Sequence, residues 1–117
     1  MGHAITVNEP IRCYETDLFD GIKAYCCTGT PVDCVKMGLY ILENRTPDII
    51  LSGINHGSNV STNVLYSGTM AAAVEGALEG IPSIGFSLTN YSSEADFNPS
   101  IKIAKSIILK VIDNGLK

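Results

Sequence analysis

The residues best equipped for chemistry lie in one polar stretch between two apolar segments. It runs Ser52-Gly53-Ile54-Asn55-His56-Gly57-Ser58-Asn59 and closes on Tyr66-Ser67-Gly68-Thr69. The closing residues read as a helix start, where unpaired backbone N–H groups and the positive end of the helix dipole suit an anion. Gly68 lets a ligand approach the backbone, and Ser67 and Thr69 add hydroxyl donors. These are the ingredients of a phosphate cradle without a lysine, although Ser-Gly-Thr is also an ordinary helix cap. Asn55 and Asn59 carry amides that are costly to bury unpaired. An Asn carbonyl oxygen can ligate a hard divalent cation, and it can equally shape a loop through an Asx turn. His56 beside Gly57 reads as a solvated loop residue rather than a base. His3, in Met1-Gly2-His3-Ala4, reads either as a polar site group or as a remnant of an affinity tag.

Other catalytic patterns are absent. The chain has no Gly-x-Gly-x-x-Gly, Walker A, Gly-x-Ser-x-Gly or His-Glu-x-x-His motif. Nor does it hold a clustered carboxylate pair. Asp17 and Asp20 flank a turn and read as solvated; Asp33 and Glu75 read as electrostatic or surface groups on helices. Cys13, Cys26, Cys27 and Cys34 match no zinc spacing. They are expected as reduced, buried thiols of a cytoplasmic protein.

The elements that must position the polar stretch follow from periodicity. Ile5–Val7, Ile11–Tyr14 and Ile22–Cys27 read as short strands of a meander, with Asp20-Gly21 as a turn. Thr30-Pro31 opens a helix by cap and proline, and Val32, Val35, Leu39 and Leu42 give it one apolar stripe to about Asn44. Ile49-Ile50-Leu51 is apolar throughout, as a strand covered on both faces should be, with Ser52-Gly53 ending it. A loop to Ser67 leads to a second helix, from Met70 to about Glu79, rich in small residues that let it lie close to a sheet and stopped by Gly80. Ile81–Leu88 is the next strand. Asn98-Pro99 opens a third helix whose core face is Ile101, Ala104, Ile108, Val111 and Ile112, ended by Asn114-Gly115. The alternation predicts an α/β fold: an open, mostly parallel sheet flanked by helices, with a short β-meander at its amino-terminal end. In such sheets ligands bind beyond the carboxyl ends of the strands, which is where the polar stretch falls.

Composition limits the alternatives. The 117 residues make one domain, and 45% hydrophobic with only 17% charged residues argues against disorder. The net charge is -4 and the eight Lys and Arg are scattered, so neither a nucleic-acid groove nor a cationic membrane face is expected. No apolar run reaches the ~20 residues of a spanning helix, and no signal peptide is apparent.

The chain resembles the SurE-type 5'-nucleotidases, a stationary-phase phosphatase family. The residues that carry the resemblance are Gly29-Thr30-Pro31-Val32-Asp33-Cys34-Val35, Pro47 through Asn59, Tyr66-Ser67-Gly68-Thr69 with Ala71-Ala72-Ala73-Val74-Glu75-Gly76, and Ile81-Pro82-Ser83-Ile84. The resemblance implies a Rossmann-like fold and a metal-dependent phosphomonoesterase acting on nucleoside 5'-monophosphates, with Mg or Mn as cofactor. It implies that Asn55 ligates the metal, that Asn59, Ser67, Gly68 and Thr69 contact the phosphate, and that His3 lies near it. It further implies a homodimer or homotetramer.

The departures are large. The family's Asn-Asp-Asp-Gly strand supplies its main metal ligands, and no Asp-Asp pair exists in this chain. A Ser of a Ser-Gly pair is expected just before Met1, and the family continues past this carboxyl end into oligomerisation arms. The chain therefore reads as a single partial domain, residues 1–117, whose catalytic residues are unknown. One neutral Asn oxygen cannot hold Mg or Mn alone, so these residues alone are expected to hydrolyse little or nothing. The other possibilities are a non-catalytic phosphate- or nucleotide-binding module using the same helix start and a truncated, misassembling remnant with no ligand.

Overall fold

The computed structural model describes residues 4–116. His3 lies outside the described residues.

The chain forms β1 (Cys13–Thr16), β2 (Ala24–Cys27), α1 (Pro31–Leu42), β3 (Ile50–His56), a short 3-10 turn (Ser61–Tyr66), α2 (Gly68–Leu78), β4 (Ser83–Leu88) and α3 (Asn98–Asn114). β1 and β2 make an antiparallel hairpin, with Cys13 opposite Cys27 and Thr16 opposite Ala24. β3 and β4 pair in parallel, joined through α2, with Ile50 opposite Ser83 and His56 opposite Leu88. This is the expected α/β architecture: a parallel sheet flanked by helices, preceded by a hairpin.

Local chemistry explains most element boundaries. Thr30 caps α1 in a capping box with Asp33, and Pro31 fills the first turn. Glu43, at φ 52°, ends α1 slightly before the expected Asn44. α2 starts on the Ser67 cap and ends ahead of Gly80, at φ 76°. α2 lies close to the sheet, because a Cβ on its Gly76 would collide with the Ser83 hydroxyl and sit 2.9 Å from Ile50 Cδ1. Lys36 of α1 reaches Glu75 of α2 at 2.5 Å and Glu79 at 3.7 Å, tying the two helices on their outer side.

Four expectations are corrected. First, Ile5–Val7 is not a strand; the Thr6 N–H, which a strand ladder would use, is donated to Asp33 Oδ1 at 3.0 Å. The hairpin instead begins at Cys13 and resumes at Ala24. Second, Ser52-Gly53 does not end β3. The strand continues to His56 through an irregularity between Ser52 and Asn55, where Gly53 takes φ 102° and the Gly53–Ile54 peptide is cis. A side chain at Gly53 would run into the Phe86 carbonyl. Third, α3 is capped by Phe97 without a side-chain bond, while the Asn98 N–H goes to Asp96 Oδ1 at 2.9 Å. Of its expected core face only Ala104 is buried; Ile101 and Ile112 are about half exposed, at 49% and 57%. Fourth, the cysteines are unbridged but not buried: Cys34 is exposed and the other three are half-buried.

Candidate phosphate site

β3 and β4 end side by side, and the chain leaves β3 through Gly57, Ser58 and Asn59 before reaching α2. Gly57 is buried at φ 99°, under the ring of Tyr91; a Cβ there would lie 2.8 Å from Tyr91 Cε1. The Tyr91 hydroxyl accepts from the Ser58 N–H at 3.1 Å. Asn59 then turns back over the sheet, and its side-chain amide donates to the Ser87 hydroxyl. Ser87 is the strand partner of Asn55. Asn55 and Asn59 are thus brought to one place, the carboxyl end of the parallel pair.

The start of α2 arrives at the same end. Gly85 of β4 lets it in, since a Cβ there would lie 2.9 Å from Met70 Sδ and 3.3 Å from the Thr69 carbonyl. Gly85 pairs with Ser52, directly before the irregular stretch that leads to Asn55. A helix start has four N–H groups without partners inside the helix. Here the Met70 N–H donates to Ser67 Oγ at 3.2 Å, and the Ser67 N–H donates to the Val64 carbonyl at 3.3 Å. The N–H groups of Gly68 and Thr69 have no hydrogen-bond partner among the described residues. The Ser67 hydroxyl accepts one bond as the cap and keeps its proton to donate. Thr69 is buried, at 7% exposure, so it lines the floor of the helix start more than its rim.

His56 takes the structural role. Its Nδ1 lies 3.3 Å from the Asn90 carbonyl, and its ring meets Phe97 edge-on with centroids 4.8 Å apart. It fastens the end of β3 to the segment that precedes α3.

A divalent cation does not fit the described residues by themselves. Among them no group of three or more His, Cys, Asp or Glu could hold a metal ion. Asn55 is exposed and offers one neutral oxygen, whereas Mg demands about six oxygen ligands, usually including carboxylates.

The family model described as Survival protein SurE matches residues 1–117, the whole chain. The chain belongs to the SurE family. A 5'-nucleotidase SurE of Cytophaga hutchinsonii is 55% identical over 117 residues, covering 99% of this chain and 45% of that protein. The 5'-nucleotidase SurE of Christiangramia forsetii is 52% identical over 118 residues, with the same two coverages, 99% and 45%. The crystal structure of a SurE protein from Aquifex aeolicus superposes with a TM-score of 0.84 at 38% identity, covering 98% of this chain and 45% of that one. The chain thus spans about half the length of these SurE relatives.

Two parts of this region are not legible from the sequence alone. Ser87 carries no signal there, because a serine in a strand gives no sign of its cross-loop partner. Asp33, expected as an electrostatic or surface group, is 1% exposed. The Thr-x-x-Asp spacing of a capping box is the available signal for its tie to Thr30; nothing local points to Thr6.

Proposed function

We propose that this chain carries the phosphate-holding part of a 5'-nucleotidase site, in a protein that hydrolyses nucleoside 5'-monophosphates to nucleoside and phosphate. The observation that carries the proposal is the start of α2: a capped helix at the carboxyl end of the parallel pair whose Gly68 and Thr69 N–H groups have no partner among the described residues. The relatives' name, 5'-nucleotidase SurE, supports the substrate class.

In this proposal the Gly68 and Thr69 N–H groups and the Ser67 hydroxyl donate to the phosphate oxygens, with the helix dipole adding attraction. The Asn59 amide, held by Ser87, borders the phosphate on the loop side, and His3, which lies outside the described residues, is assigned to the phosphate on the family resemblance alone. Asn55 would offer one neutral oxygen to a divalent cation, Mg or Mn, whose remaining ligands the described residues do not supply. Because the described residues do not build a cation site, the 117-residue chain alone binds substrate and turns over little. The unbridged cysteines fit a reducing compartment, and we assign the protein to the cytoplasm as a dimer or tetramer. Among the described residues no helix is long and apolar enough to cross a membrane.

The test measures AMP binding and AMP hydrolysis, with Mg or Mn present, for this chain and for one extended at its amino end. Expected are phosphate-competed AMP binding by both and metal-dependent turnover only by the longer one. Robust metal-dependent turnover by the 117-residue chain would refute the proposed division. Binding without turnover in the extended chain would favour a non-catalytic nucleotide module.

A further inference from the structure

Three of the four cysteines gather where the hairpin meets α1, and none of them belongs to the polar loop or to the start of α2. Cys13, Cys27 and Cys34 line one open cavity there, with about 380 Å³ of room. Cys13 and Cys27 stand directly opposite each other in the antiparallel pair. One step along, the Thr28 N–H donates to the Arg12 carbonyl at 3.0 Å. Arg12 and Thr28 therefore hold the hydrogen-bonded position, and Cys13 and Cys27 hold the next, non-hydrogen-bonded one. At such a position opposed Cα atoms lie about 4.5 Å apart and the side chains, on one face, come closest. A disulfide spans Cα atoms about 4.4–6.8 Å apart, so this pair can be bridged without moving the backbone.

The other two cysteines are placed differently. Cys26 lies opposite Tyr14, and as the strand neighbour of Cys27 it points to the other face. Cys34 shares the cavity, but partial burial, and after it the neighbouring Cys27, push its thiol up to about 11. It stays protonated at neutral pH, and thiol–disulfide chemistry runs through the thiolate. Among the described residues no group of three or more His, Cys, Asp or Glu could hold a metal ion. The cluster is thus a dithiol with a passive third member.

We propose that Cys13 and Cys27 are a modification site for hydroperoxides, which join them in a reversible disulfide that staples β1 to β2. The cavity is open and both residues are only half-buried, so an oxidant little larger than water reaches them. The thiolate of one cysteine attacks the peroxide: an S–O bond forms, the O–O bond breaks, and the released oxygen leaves as water with the proton of the thiol. The sulfur is oxidised to a sulfenic acid and the peroxide is reduced. The second thiolate then attacks that sulfur, forming the S–S bond and expelling hydroxide, which takes up the second proton. Two thiols and one hydrogen peroxide become one disulfide and two waters. The proposal stands apart from the phosphate reading.

The experiment treats the folded 117-residue chain with hydrogen peroxide, alkylates the remaining thiols and maps the peptides by mass spectrometry. Expected is a chain 2 Da lighter before alkylation, with Cys13 linked to Cys27 and with Cys26 and Cys34 alkylated. Dithiothreitol should restore four free thiols. The linked chain should melt roughly 5–15 °C above the reduced one, because the bond closes the hairpin loop in the unfolded chain. Cys34→Ser should link as the unaltered chain does, and Cys27→Ser should not link. A bond from Cys27 to Cys34 or to Cys26 overturns the proposal, as do links between chains or over-oxidation without a link. Linking of Cys13 to Cys27 only in urea overturns it too, since the folded register would then not be its cause. A linked chain that melts no higher than the reduced one overturns the staple.

Discussion

Asn59 donates from its side-chain amide to the hydroxyl of Ser87, 28 positions further along, and Ser87 is the strand partner of Asn55. One serine on β4 thus links the two asparagines of the polar loop. The loop leaves β3 beside Asn55 and is drawn back over the sheet at Asn59. From there the 3-10 turn carries it to the Ser67 cap of α2, at the same end of the sheet.

Replacing Ser87 with Ala removes the acceptor of the Asn59 amide. The loss should lower stability by about 1 kcal/mol, the net worth of a typical hydrogen bond, as read from the urea midpoint. Phosphate affinity should fall with it, because Asn59 is no longer held over the site. An unchanged affinity in a destabilised variant would show that Asn59 only shapes the loop.

Asp33 gives a pH dependence of known sign. Burial alone would raise its pKa, but the hydrogen bonds from Thr6 and Thr30 overcome this and lower it from 3.8 to about 2. A carboxyl with a depressed folded-state pKa contributes stability that is complete above its unfolded value and is lost as pH falls through the folded one. The native chain should therefore exceed Asp33→Asn in stability at pH 5 and above, and that margin should shrink between about pH 4 and pH 2. Urea unfolding of both chains across that range measures it. A margin independent of pH would mean that the Asp33 charge contributes nothing.

How much of this is legible in the sequence depends on whether the cause is local. The starts of α1 and α2 are readable because Thr30-Pro31 and Ser67-Gly68-Thr69 satisfy helix ends with neighbouring residues. The alternation of apolar runs with helical stripes likewise announces the parallel pair. The misleading signals are those decided across the chain. Ile5–Val7 looks like a strand, but Asp33 competes for its backbone from 27 positions away. Ser52-Gly53 looks like a stop, yet Gly53 accommodates the Phe86 carbonyl of the neighbouring strand and β3 runs on. α3 has an apolar stripe of the right period, but Ile101 and Ile112 stay exposed because periodicity says which face is apolar and not what covers it.

Two helix glycines should respond oppositely to the same change. Gly38, within α1, has open space around it: nothing lies within 4 Å of where a methyl would sit. Gly38→Ala should therefore stabilise by roughly 0.5–1 kcal/mol through helix propensity alone. Gly76, within α2, faces Ser83 and Ile50, and the added methyl must push the helix off the sheet. Gly76→Ala should cost roughly 1–3 kcal/mol of overpacking, more than propensity returns. Thermal melts of both variants read the contrast. If Gly76→Ala is as stable as Gly38→Ala, α2 does not lie as close to the sheet as described.

Ser67 holds two roles that a single substitution can separate. Its Oγ caps α2 through the Met70 N–H, and in the proposed site its hydroxyl donates to phosphate. Ser67→Ala removes both, so it should cost about 1 kcal/mol of stability and weaken phosphate binding together. Ser67→Asp keeps the cap, since Asp accepts from the same N–H and suits the positive end of the dipole. The same carboxylate stands against the anion and has no proton to donate at neutral pH. The Asp variant should therefore melt at or above the unaltered chain while losing phosphate binding almost completely. Retained binding in a stable Ser67→Asp chain would place the anion away from the start of α2, and the proposed site would fall with it.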